Sequence, residues 1–132
     1  METMESECAK YENLSDILEY GNISDDEAAY ICNSIIDDSC LVNESRILES
    51  MFHAIFTGVV NRNIAKKIHS DIIIKSLEKY NEQILDYIIT ILAYSGNDQY
   101  QNTIKQIGAK YTNLDIEEAL VELSSRSVKS DI

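Results

Sequence analysis

Apolar residues recur at intervals of three and four along nearly all of this 132-residue chain, and no proline interrupts them. Such a period lines apolar side chains along one face of a helix, and a proline-free backbone can keep its hydrogen bonds throughout. Cys8, Tyr11, Leu14, Ile17 and Leu18 form a first stripe, which stops at Gly21, a residue placed to adopt the left-handed conformation just past a helix end. Ser24 and Glu27 have the spacing of a capping box, with Asp25, Asp26 and Glu27 favouring the positive end of the helix dipole. Behind them Ala28, Ile31, Cys32, Ile35 and Ile36 continue the pattern to Asp37 and Asp38. Asn43 is placed to cap a third helix with the stripe Ile47, Leu48, Met51, Phe52, Ile55, Phe56 and Val59.

The arrangement then repeats. Residues Ile64–Lys79 have a helical pattern that breaks near Asn81, followed by Ile84, Leu85, Ile88, Ile89 and Leu92 up to Gly96. Tyr100, Ile104 and Ile107 precede Gly108, and Ile116, Ala119, Leu120 and Leu123 close the series. Ile47 and Ile84 are 37 residues apart, and Ile84 and Ile116 are 32 apart, spacings typical of helical-repeat arrays. The fold class predicted is all-α: a short right-handed α-solenoid of six to seven helices in antiparallel pairs, forming one domain. Acidic helices over 5–50 would pack on repeats over 51–126, with a frayed tail at 127–132. The segment Glu82–Tyr94 is apolar nearly all round and should be central. Isoleucine-rich stretches at 72–74 and 87–92 also admit a strand assignment, which the lack of sustained period-two alternation disfavours.

Charge is distributed very unevenly. Residues 1–50 carry thirteen carboxylates against two cations, Lys10 and Arg46, whereas residues 51–132 carry ten against nine. Almost all of the net charge of -12 therefore belongs to the first two-fifths of the chain. Such an excess opposes nucleic acid or an anionic membrane as partner and favours rapid, salt-sensitive capture of a cationic protein. If the first two helices bury their apolar stripes, Asp16, Glu19, Asp25, Asp26, Asp37, Asp38, Glu44 and Glu49 face outward as one anionic surface. Tyr11, Tyr20 and Tyr30 are candidate aromatic anchors beside it. The opposing interpretation, a solvated face that only maintains solubility, does not require the asymmetry between the two halves.

Little else in the sequence suggests catalysis. His53 and His69 are the two histidines, and they lack metal-type spacing with each other or with Cys8, Cys32 and Cys40. The odd cysteine count, the acidic start at Met1–Lys10 and the lack of a spanning apolar run fit a cytoplasmic protein. Asp37–Leu48 lacks the internal glycine and terminal glutamate of a calcium loop. No metal or cofactor is expected.

With its small size, acidic first half and degenerate, HEAT-like helical repeats, clearest over Ile72–Arg126 in the segments Glu82–Gly96 and Leu114–Ser125, the chain resembles the small acidic immunity proteins encoded beside bacterial contact-dependent inhibition or polymorphic toxins. The resemblance is architectural, covers the whole chain and carries no diagnostic motif. It implies a protein that blocks a toxin domain, commonly a nuclease with a cationic substrate groove, as a monomer in a 1:1 complex, without catalysis. Ribonuclease is the favoured toxin type over deoxyribonuclease. The residues expected to bind it are Asp16, Glu19, Tyr20, Asp25, Asp26, Tyr30, Asp37, Asp38 and Glu44. Two rivals remain: an adaptor that holds a protein or peptide in the solenoid groove, and an enzyme using a carboxylate pair in a pocket that pushes the two pKa values apart.

Overall fold

The structure, a computed structural model, describes residues 3–130, and every regular element among them is helical. Seven α-helices follow one another: α1 (Met4–Tyr20), α2 (Asp25–Ser39), α3 (Ser45–Asn61), α4 (Ser70–Ile74), α5 (Glu82–Ser95), α6 (Gln101–Lys110) and α7 (Ile116–Ser130). Short 3-10 turns at Ala65–Lys67, Leu77–Lys79 and Asp98–Tyr100 link the later ones. The stretches 72–74 and 87–92 are helical, so the strand assignment is wrong for both. None of the helices is long and apolar enough to cross a membrane among the described residues. Of the tail expected at 127–132, residues 131–132 lie outside the described residues, and Ser127 is buried in α7.

Helices α1, α3, α5 and α7 pack each against the next, while α2 packs on α3, α4 on α5, and α6 on both α5 and α7. One apolar core runs through the whole stack. Its centre is shared by α3 and α5, so the central place expected for α5 is not its alone. Phe52, Met51, Ile55, Ile84, Ile88 and Ile91 are fully buried there, and each large aliphatic side chain so removed from water contributes about 2 kcal/mol. Phe52 also meets Tyr80 edge to face with ring centroids 5.0 Å apart.

Local signals explain most helix boundaries. At α2 the Glu27 amide donates to Ser24 Oγ (3.1 Å) and the Ser24 amide to Glu27 Oε1 (3.2 Å), which is the expected capping box. Asn81 accepts from the Ile84 amide and starts α5. Gly96 ends α5 in the left-handed conformation with φ of 66°, a cost for any other residue, and α7 lies so close that a Cβ there would crowd the Arg126 backbone.

Four boundaries differ from expectation. Gly21 is extended (φ -70°, ψ 151°), not left-handed, and a Cβ on it would lie 2.5 Å from the Ile17 carbonyl oxygen. Glu44 rather than Asn43 caps α3, accepting from the Arg46 amide at 3.3 Å. The single helix expected over Ile64–Lys79 is broken into a turn, the five-residue α4 and a second turn. There the Asn33 side chain donates to Lys67 O (3.0 Å) and accepts from the His69 amide (2.9 Å), replacing helical partners across the break. Gly108 lies inside α6 rather than at its end, and Ile116 of α7 occupies the space a Cβ would need.

Candidate protein-binding surface

Helix α1 buries Cys8, Tyr11, Ser15 and Leu18, which leaves Glu5, Glu12, Asp16 and Glu19 exposed along one flank at spacings of seven, four and three. Ser15 Oγ donates to Thr57 Oγ1 at 3.0 Å, and Thr57 Oγ1 donates to the His53 carbonyl at 2.9 Å, so these buried hydroxyls beneath the helix are satisfied. Tyr11 is buried in this seam and cannot serve as an exposed anchor. Tyr20, at the end of the helix, is 79% exposed. Its hydroxyl has a raised pKa, first because of its hydrogen bond with Glu19 and then because of the negative charges of Glu19 and Asp16.

The end of α1 is held by a cation from elsewhere. Arg62, just past α3, donates from Nε to Leu18 O (2.6 Å), from Nη1 to Ile23 O (2.9 Å) and from Nη2 to Ile17 O (3.2 Å) and Gly21 O (2.7 Å). The guanidinium thus satisfies the Leu18 carbonyl at the helix end and loop carbonyls beyond it, adds a donor to Ile17 O, which also accepts from the Gly21 amide, and opposes the negative end of the dipole. Lys79 acts similarly at the end of α2, donating to Ser39 O (2.8 Å) and Val42 O (3.0 Å).

On α2, Asp25, Asp26, Tyr30, Asp37 and Asp38 are all exposed. Asp26 is paired with Lys67 at 2.6 Å, a hydrogen bond and charge that lower its pKa, so this carboxylate is partly neutralised from within the chain. Asp16, Glu19, Asp25, Asp37, Asp38 and Glu44 form no ion pair among the described residues. Glu44 is exposed and has the structural task of capping α3; Glu49 is half-buried.

The nine predicted residues do not form one tight cluster. Asp16, Glu19, Tyr20, Asp25 and Asp26 flank the loop Gly21–Ser24 and share one corner. Asp37 and Asp38 belong to the other end of α2, about 18 Å along the helix axis, with the 74%-exposed Tyr30 between, and Glu44 follows at the start of α3.

A further concave feature was not apparent from sequence. Phe56, Val60, Asp86, Ile89, Thr90, Ala93, Tyr94, Asp115, Glu118, Ala119 and Glu122 enclose a groove of about 300 Å³ between α3, α5 and α7. Four carboxylates, Asp86 on α5, Asp115 at the α7 cap and Glu118 and Glu122 on α7, line it beside the apolar residues. The pKa of Glu118 is raised, chiefly by its hydrogen bond with Asp115 and the charge of that neighbour. Both side chains are exposed, so the neighbouring carboxylate rather than an apolar setting causes the shift. The one available sequence signal was Asp115 followed by Glu118, the spacing of a helix start; nothing in it pointed to Asp86 or Phe56.

His53 packs among Phe56 and Tyr87, with ring centroids 6.4 and 5.6 Å away, while His69 is in the linker after α3. The described residues contain no group of three or more His, Cys, Asp or Glu side chains able to hold a metal ion. Comparison with protein-family models, with curated proteins and with solved structures finds no match.

Proposed function

We propose that this protein binds and neutralises a cationic protein, in the manner of an immunity protein that occludes the substrate groove of a nuclease toxin, a ribonuclease before a deoxyribonuclease. One observation carries the proposal. Among the described residues, Asp16, Glu19, Asp25, Asp37 and Asp38 stay exposed and without ion pairs although Arg62 and Lys79 reach the ends of α1 and α2, where their donors bind carbonyls instead. Carboxylates near the C-terminal ends of α1 and α2 also oppose the helix dipoles, so helix stability gives no reason for Glu19, Asp37 or Asp38. A partner that must be positive where it grips phosphate supplies the missing counter-charge, and steering between opposite fields speeds its capture.

The chemistry of a catalytic carboxylate pair is less well supported. Asp115 and Glu118 are open to water, whereas a general acid of this type is kept protonated by an apolar setting.

The test is titration of the chain into a basic ribonuclease domain with which it co-purifies, at low and high salt. Stoichiometric binding should abolish RNA cleavage. Asp16→Asn, Glu19→Gln, Asp25→Asn, Asp37→Asn and Asp38→Asn combined should weaken binding by at least about tenfold and flatten its salt dependence, with helical content unchanged. Equal affinity of the fivefold variant and the native chain at low salt would refute the acidic-surface mechanism.

A further inference from the structure

The groove between α3, α5 and α7 differs in kind from the convex acidic flanks of α1 and α2. It is concave, has an apolar floor of Phe56, Ile89 and Ala119, and carries carboxylates along its rim. The chain itself shows which side chain such a setting accepts. At one end the Arg126 guanidinium lies 3.9 Å from the centroid of the Tyr94 ring, while its Nε and Nη2 donate to Glu122 Oε1 at 3.0 and 2.9 Å. A flat cation that stacks on an aromatic face and presents several donors to one carboxylate is what guanidinium chemistry provides and an ammonium does not.

Arg126 accounts for Glu122 but not for the rest of the rim. Asp86, Asp115 and Glu118 form no ion pair among the described residues. Asp115 accepts from the Glu118 amide at 3.0 Å to start α7, which holds the two exposed carboxylates beside each other at the mouth of the groove. A cation between them would offset the repulsion of two neighbouring negative charges. The apolar floor suits the aliphatic stem of a long basic side chain whose charged end reaches the rim.

We propose that this groove is the receptor for an arginine side chain presented by a partner protein, with Asp86, Asp115 and Glu118 as its acceptors. The site uses none of the acids on α1 and α2, and it does not require the partner to be a nuclease. It therefore stands or falls separately from the acidic flanks.

Blocked tripeptides, acetyl-Gly-Arg-Gly-amide and its citrulline and lysine counterparts, titrated into the full chain and followed by amide NMR shifts, provide the test. The arginine peptide should give saturable shifts at Thr90, Ala93 and Ala119. The neutral citrulline peptide should bind at least about tenfold more weakly, and the lysine peptide should be intermediate. Asp86→Asn combined with Glu118→Gln should weaken the arginine peptide by about tenfold, while Asp37→Asn combined with Asp38→Asn leaves it unchanged. Absence of saturable groove shifts, equal binding of arginine and citrulline peptides, or equal loss in the α2 variant would each overturn the proposal, the last by showing only diffuse attraction to negative charge.

Discussion

Cys32 illustrates how far a single side chain's chemistry is decided by its surroundings. It is fully buried at the contact of α2 with α3, where a Cβ on Gly58 would come within 2.8 Å of its sulfur. Burial pushes the thiol pKa up to about 12. Cys8 is also buried, its sulfur directed at the Arg46 carbonyl 3.7 Å away, whereas Cys40 is exposed. In the native protein iodoacetamide should therefore label Cys40 and leave Cys8 and Cys32 until the chain unfolds, as mass spectrometry of the labelled peptides would report. Rapid native labelling of Cys32 would contradict the packing. Tyr100, whose hydroxyl donates to Asp71 at 2.6 Å, is likewise raised to about 12, by burial first and then by Asp71. Both groups keep their protons more tightly when folded, so the stability they contribute is complete below pH 9 and is lost as the pH rises toward 12. Urea midpoints measured across that range should fall steadily, beginning near the ordinary thiol pKa.

At the scale of elements, the acidic helices are joined to the rest of the molecule by cations of the second half. Arg62 alone reaches four carbonyls of α1 and its following loop. Arg62→Met should destabilise the protein by about 2 kcal/mol, because carbonyls beside the core lose charge-assisted donors while water restores only part of the bonding. Arg62→Lys should recover little, since one ammonium cannot match the divergent guanidinium donors. Chemical denaturation of the three proteins distinguishes this from a role of charge alone, for which lysine would suffice. The same logic explains the misassigned helix at Ile64–Lys79. Its residues have helical propensity, yet Asn33 and Lys79 draw the local backbone into contacts with α2 that a continuous helix would not permit.

For the whole molecule, a net charge of -12, of which Lys67–Asp26 and Arg126–Glu122 offset only a part, means that folding brings like charges together. Added sodium chloride should accordingly raise the melting temperature over the range in which screening acts, with a Debye length near 10 Å at about 0.1 M. The fivefold acid variant of α1 and α2 should melt higher than the native chain at low salt and respond less to added salt. A salt-independent melting temperature in calorimetry would show that the acidic flanks are too dispersed to repel one another.

The all-helical class, the stripe on every long helix, the capping box at Ser24 and the start of α5 at Asn81 were legible in the residues themselves, because each depends on spacing of a few positions along one chain segment. The outward placement of Asp16, Glu19, Asp25, Asp37 and Asp38 was legible too, as the complement of those stripes. What the tertiary structure alone decided is how distant residues meet. Lys67 neutralises Asp26 across 41 positions, Arg62 and Lys79 close the ends of helices they do not belong to, and Asp86 joins Asp115 and Glu118 around one groove. Periodicity reports which side of a helix is buried; it holds no information about which other helix will cover that side, and that choice creates every long-range contact in this protein.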